Sequence, residues 1–305
     1  MGVLDEMDQH SRSGRRLVAA FVAVAALIAG GLWLWWVRHD RVPRPERAPV
    51  TFEEWDALLE KLVQLPADTA DGRSLGRELD DIYYYPQLAG LKSLHAEFNC
   101  PFVLRLLRYW MGQNGYPPKE VDAARLNVVA DWSAAAGLTV QLDGWPNDMQ
   151  PSEKQRQTDI LRDLVEILVP PPNSVVFSLY DVTIRQTSWA ALVFGRKRSP
   201  EAPLDSFRKI YFKDGSYTFV EGAGPEATFQ TVQRFERFEG RRVVVEQRYT
   251  VQTQNAALRY SVTPVYHEFD GIVLPTRITQ VYTDPQGGAL AEALELESTK
   301  MEVGR

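Results

Sequence analysis

An uninterrupted apolar run from Leu17 to Val37 limits what this 305-residue chain can fold into more than any other feature of its sequence. No charge breaks the run. At about 1.5 Å rise per residue a helix of that length covers roughly 31 Å, the hydrocarbon thickness of a bilayer. A cleaved signal peptide would need a small-residue cleavage site followed by polar sequence. Ala23-Val24-Ala25 could supply the site, but Leu32-Trp33-Leu34-Trp35-Trp36-Val37 comes after it, and cleavage would leave a hydrophobic stump. Three tryptophans beside Arg38 fit the aromatic belt of a lipid–water interface instead. The expectation is an N-terminal tail at 1–16 and an uncleaved transmembrane helix at 17–37 that binds the chain to a membrane.

Arginines on the two sides of the run (Arg12, Arg15 and Arg16 before it; Arg38, Arg41, Arg44 and Arg47 after it) do not settle orientation by count. Arg15 and Arg16 abut the apolar residues as in a signal-anchor, and large following domains translocate largely regardless of charge. These features place the anchor as a single pass in a bacterial inner membrane, with the C-terminal domain in the periplasm.

The remainder, in a chain 45% hydrophobic and 24% charged overall, has the composition of an ordinary globular domain. A net charge of −6 and the lack of a basic stripe exclude nucleic acid as the main partner. Cys100 is the only cysteine, so no intrachain disulfide can form, and its expected role is packing.

Residues 38–50 carry Pro43, Pro45, Pro49 and several arginines, the composition of a stiff extended linker. A mainly helical segment is expected over 51–172. Thr51 and Glu54 have capping-box spacing, and Trp55, Leu58, Leu59 and Leu62 repeat helically behind them. Leu75, Leu79 and Ile82 mark a second helix, and Phe102, Val103, Leu106, Leu107 and Trp110 a third. Val121, Ala124, Arg125, Val128, Val129 and Trp132 trace a further helical face with Gly137 as its C-cap, followed by a short strand over 138–142. Ile160, Leu161, Leu164, Val165 and Leu168 form a last helical face before Pro170-Pro171-Pro172.

Beyond the prolines, in a β-rich segment over 173–305, the period changes to two. Residues 175–180, 182–187, 189–194 and 207–212 alternate like strands, and Asp214-Gly215, Glu239-Gly240, Asp270-Gly271 and Gly287-Gly288 supply turns between later ones. Short connections between sequential strands indicate an antiparallel meander. The fold class read from the chain is α+β: a transmembrane helix, a helical segment, and a curved, half-barrel-like antiparallel sheet covered by the helices.

Two resemblances refine this reading. Tyr266-His-Glu-Phe-Asp-Gly-Ile-Val-Leu-Pro-Thr-Arg-Ile278, followed by one more strand, resembles the closing strands of periplasmic lipoprotein carriers of the LolA/LolB type. That resemblance implies a half-open barrel whose apolar cavity receives acyl chains, without catalytic residues. A permanently anchored copy could receive or pass on a lipid locally but could not shuttle. Val128-Val-Ala-Asp-Trp-Ser-Ala-Ala-Ala-Gly-Leu-Thr-Val-Gln-Leu142, with the later helix and two strands up to Gln186, is similar to the short N-terminal domain of secretins and TonB-dependent receptors. This second likeness implies protein–protein assembly in an envelope complex.

Catalytic motifs are missing. His10, His39, His95 and His267 lack metal-ligand spacing, so no metal site is expected. Nor is there a G-x-S-x-G elbow, a phosphate-binding G-x-x-x-x-G-K-[ST] loop or a dinucleotide G-x-G-x-x-G, so no catalytic residue and no cofactor is assigned. The reading is a non-catalytic, membrane-anchored envelope protein that binds a lipid or a lipoprotein acyl chain, with an assembly or secretion scaffold as the alternative. Phe177 and Leu179 share one strand face, as do Tyr217 and Phe219, and these four are the expected cavity positions.

Overall fold

The computed structural model describes residues 42–147, 151–225, 227–253, 257–284, 288–289 and 293–305. The expected tail, the 17–37 anchor, the start of the linker, His10, His39 and Gly287 lie outside the described residues. Among those described, no helix is long and apolar enough to cross a membrane.

The chain forms an α+β fold around one large antiparallel sheet that does not close. Helix α1 (Phe52–Val63) precedes strand β1 (Asp68–Ala70) and helix α2 (Gly72–Asp80). Strand β2 (Ser93–Asn99), helices α3 (Pro101–Gln113) and α4 (Pro118–Ala123), the hairpin β3 (Asn127–Ser133) and β4 (Gly137–Asp143), and helix α5 (Pro151–Val165) follow. A 3-10 turn (Glu166–Leu168) and short helix α6 (Asn173–Phe177) lead into the long meander. Its strands are β5 (Tyr180–Gln186), β6 (Ala190–Lys197), β7 (Ser206–Phe212), β8 (Tyr217–Ala223), β9 (Ala227–Phe238), β10 (Arg241–Thr253), β11 (Ala257–Phe269), β12 (Ile272–Thr283) and β13 (Leu294–Gly304). Among the described residues the 13 strands run in space β1, then β5 through β13 in sequence, then β2, β3 and β4, with β1 and β4 at the edges.

Local chemistry accounts for several of these elements. Thr51 Oγ1 accepts the Glu54 N–H and the Glu54 carboxylate accepts the N–H groups of Thr51 and Val50, completing the expected capping box of α1. At the other end of that helix, Arg185 donates to the carbonyls of Val63 and Leu65, placing a cation on the negative pole. Gly240 and Gly271 take φ of +76° and +82° in the β9–β10 and β11–β12 hairpins, where the sequence places turns.

Two stretches differ from their expected conformation. The helical pattern over 121–132 divides instead: α4 ends at Ala123 and residues 127–133 form β3, paired on both sides. Buried Val128 and Ala130 alternate with more exposed neighbours, which is the period of a strand, and Gly137, at φ +73°, serves a hairpin rather than a helix end. Residues 173–177 are the helix α6 rather than a strand, because the Asp80 carboxylate accepts the N–H groups of Asn173 (2.7 Å) and Ser174 (3.1 Å) and so caps a helix N-terminus that its own sequence leaves bare.

Alternation sorts each strand between two faces. On β6, Ala190 and Leu192 face one side and Ala191 and Val193 the other. The first side carries α1: Trp55 stacks on Phe219 (5.6 Å, 4° between planes) and touches Phe212, while Leu58, Leu59 and Leu62 cover Leu192, Ile210 and Val232. Residues 42–50 dock beside α1 rather than standing off as a spacer. Val42 is buried, its carbonyl accepts Trp189 Nε1–H at 2.9 Å, and Arg44 pairs with Asp214 at 2.6 Å.

The opposite side is one continuous surface, traced through the register Gln247, Val262, Gln280, Leu294 and, past β13, through Phe98, Val128 and Leu142. Helices cover it in two separate groups. At one end α2 and α6 lie over β5 to β7 with Leu75, Leu79 and Phe177. There Gly76 lets the helices touch, since a Cβ would stand 2.4 Å from Ser174 Cα. At the other end α3, α5 and the 3-10 turn lie over β2 to β4 and β11 to β13, with Cys100, Val103, Leu107, Leu161 and Leu168 in the core. Replacing Trp55, which is wholly buried, by Ala is expected to lower stability by about 3–5 kcal/mol through the cavity left between α1 and β8. Urea unfolding of the variant checks this, and a loss under 1 kcal/mol would mean that α1 does not hold this face.

Candidate functional site

Between the two helix groups, above the middle strands of the sheet, is a cavity of about 270 Å³. Its floor comes from β7 to β12, including Phe207, Val220, Phe235, Val244, Tyr266 and Val273. Its walls come from the chain after α2 (Tyr83 to Pro86), from Pro170 and Pro171, and from α6 through Val176 and Phe177. Gly195 shapes the floor, because a Cβ there would stand 2.1 Å from the Phe207 ring.

The tyrosine wall is fixed by backbone anchors. Tyr84 N–H donates to the Arg242 carbonyl at 2.9 Å, and Tyr84 Oη accepts the Val273 N–H at 2.8 Å with the Arg241 guanidinium 5.1 Å from its ring. Gln87 Nε2 donates to the Pro170 carbonyl at 2.9 Å and joins this wall to the proline corner. Tyr83 packs on Phe235 at 4.4 Å, and its hydroxyl, buried, has no hydrogen-bond partner.

One polar chain crosses the cavity. Asp80 holds the first two N–H groups of α6; Asn173 Nδ2 donates to Tyr85 Oη at 2.6 Å; and Lys209 Nζ donates to Asn173 Oδ1 at 2.6 Å while lying 5.7 Å from the Phe177 ring. Burial pushes the Lys209 ammonium down to about 8, against the opposing pull of the Asp80 carboxylate. The same burial raises Tyr83 and Tyr85 far above the ordinary phenol range.

The four positions expected from sequence do not converge. Phe177 lines this cavity from α6. Leu179 is partly buried beside the same core, in the turn before β5. Tyr217 and Phe219 point to the other side of β8, against Trp55. Strand parity identifies which residues share a face but not which helices cover that face. The residues that parity did not supply are the tyrosine run, Lys209 and Asn173; Tyr83-Tyr84-Tyr85 beside Pro86 was the visible signal.

Elsewhere, His95 lies on the uncovered side of β2 with Nδ1 2.8 Å from Asp131 and Nε2 3.2 Å from Glu97, and the two carboxylates raise its pKa. With both ring nitrogens engaged it has none free to act as a base. His267 in β11 contacts Phe269 at 5.1 Å. Among the described residues no group of three His, Cys, Asp or Glu side chains is placed to hold a metal ion. Compared with protein-family models, curated proteins and solved structures, the chain matches none.

Two measurements test the site's construction. Asp80→Ala removes the acceptor of two helix-terminal N–H groups, and a loss of about 2–3 kcal/mol in urea unfolding is expected, the scale of a charged hydrogen bond. The second concerns pH. The folded pKa of Lys209, about 8, lies below its ordinary 10.5, so between these values the unfolded chain binds more protons and stability rises with pH through this group. Wild type is therefore expected to gain stability relative to Lys209→Met from pH 8 to pH 10.5, and a constant difference across that window would show that the lysine titrates normally.

Proposed function

We propose that this is a non-catalytic, membrane-anchored envelope protein that binds one acyl chain of a lipid or lipoprotein in the cavity beside Phe177 and Tyr83. The observation that carries the reading is the cavity itself: about 270 Å³, walled mainly by aromatic, proline and aliphatic side chains, with a few convergent polar groups. That is the composition of a small-molecule site, near the lower end of the roughly 300–1,000 Å³ such sites occupy.

The surrounding sheet supports the same reading. It is a curved half-barrel on this proposal, with edges that never meet. Register shifts at Val244/Glu246, Val265/Tyr266 and Ser298/Lys300 put irregularities into the β9–β10, β11–β12 and β13–β2 pairings, and bulges bend strands. The residues resembling the lipoprotein carriers form the β11–β12 hairpin, which contributes Tyr266, Val273 and Pro275 to the cavity lining. The apolar run 17–37 supplies the anchor, with the folded region in the periplasm.

Native mass spectrometry of the full chain, isolated from membranes and followed by lipid extraction, tests the proposal. A bound species of lipid mass, lost when Phe235→Asp places a charge in the cavity floor, is expected. An apo protein that instead co-purifies stoichiometrically with an envelope component would favour the assembly scaffold.

A further inference from the structure

The cavity's charge pattern carries the acyl-chain reading one step further, to the chemistry of the ligand's other end. Among the described residues no Asp, Glu or Arg lines it, and the one ionisable cation in the lining is Lys209. A cation enclosed by apolar walls costs free energy unless it is paired. The hydrogen-bond acceptor given to this ammonium is the neutral amide oxygen of Asn173, at 2.6 Å. The Asp80 carboxylate, whose charge acts on this ammonium, accepts the N–H groups of Asn173 and Ser174 through its two oxygens.

We infer that the ligand is a single-chain anionic amphiphile whose carboxylate or phosphate monoester is held by Lys209, while its hydrocarbon chain occupies the apolar space between Phe177, Phe207 and Phe235. Size supports one chain, because the space falls at or below the lower bound of drug-sized pockets and leaves no room for the several chains of a lipoprotein anchor. Asn173 Oδ1 holds the ammonium among the cavity-lining residues. Lys209 is a binding residue on this inference, and no covalent step is involved.

The inference rests on the acyl-chain reading, and one experiment separates their failures. Full-length protein in phosphatidylcholine nanodiscs is photolabelled with three diazirine probes of equal chain length: a fatty acid, a lysophosphatidic acid and a fatty alcohol. Label on peptides containing Tyr83 to Pro86 and Phe207 to Lys209 is mapped and divided by label on the nanodisc scaffold, which removes differences in partitioning. The expected result is cavity labelling by at least one anionic probe about tenfold above the alcohol, the factor that corresponds to about 1.4 kcal/mol. Lys209→Met should abolish that preference and Lys209→Arg should keep it. The better of the two anionic probes identifies the headgroup as carboxylate or phosphate. Equal labelling by acid and alcohol in the wild-type protein, a comparison that needs no variant, would overturn the anion inference while leaving the acyl reading in place. Absence of cavity label from all three probes would overturn both.

Discussion

The Asp80 carboxylate holds the covered face of the sheet together. By accepting the first two N–H groups of α6 it replaces the side-chain cap that Pro172 cannot provide, and it fixes a five-residue helix that would be far too short to persist alone. From that position α6 delivers Phe177 to the cavity wall and Asn173 to both Tyr85 and Lys209. Gly76 makes the arrangement geometrically possible, since any side chain there would push α6 away from α2. A single acceptor thus links the loop after α2, the proline corner and β7.

Much of the architecture was readable because local and global signals agree. Thr51 and Glu54 name a helix start with their own atoms, and glycines at 240 and 271 occupy positive φ where the alternation breaks. The reading of α6 as a strand came from Val175-Val176-Phe177, an apolar triplet compatible with either conformation; the deciding contact is with a residue 93 positions away. The helix expected through Val128 reflects the same ambiguity, since Val121 belongs to α4, Ala124 follows its end, and Val128 and Ala130 lie on the buried side of β3. The four expected cavity positions were separated by a fact no spacing encodes: α1 covers one side of β8 and the cavity opens on the other. Lys209, one lysine in an alternating strand, had no signal at all.

The two sides of the sheet therefore have different characters. Around Trp55 the packing is dense and stacked, and 42–50 seals its margin through Val42, Trp189 and Arg44. On the other side the helices arrive from two distant parts of the chain and meet imperfectly, and the gap between them is the cavity. Small interior spaces are normally filled in folded proteins because voids cost contact energy. This one is walled by prolines and by tyrosines tied to backbone groups, side chains that cannot relax into it.

The pairing of β13 with β2 also shapes how the molecule assembles. Thr299 Oγ1 donates to the Glu97 carbonyl across 202 residues of sequence, whereas each pairing from β5 to β12 joins immediate neighbours. Closing so long a loop carries an entropic cost that hairpins avoid, and rates fall as contacts become less local. The meander can grow strand by strand as soon as its residues exist, but the edge of β2 that bonds β13 has no partner until that last strand is made. During that interval the chain presents the kind of unpaired apolar strand on which misassembly begins, making the passage to the native state depend on what guards that edge.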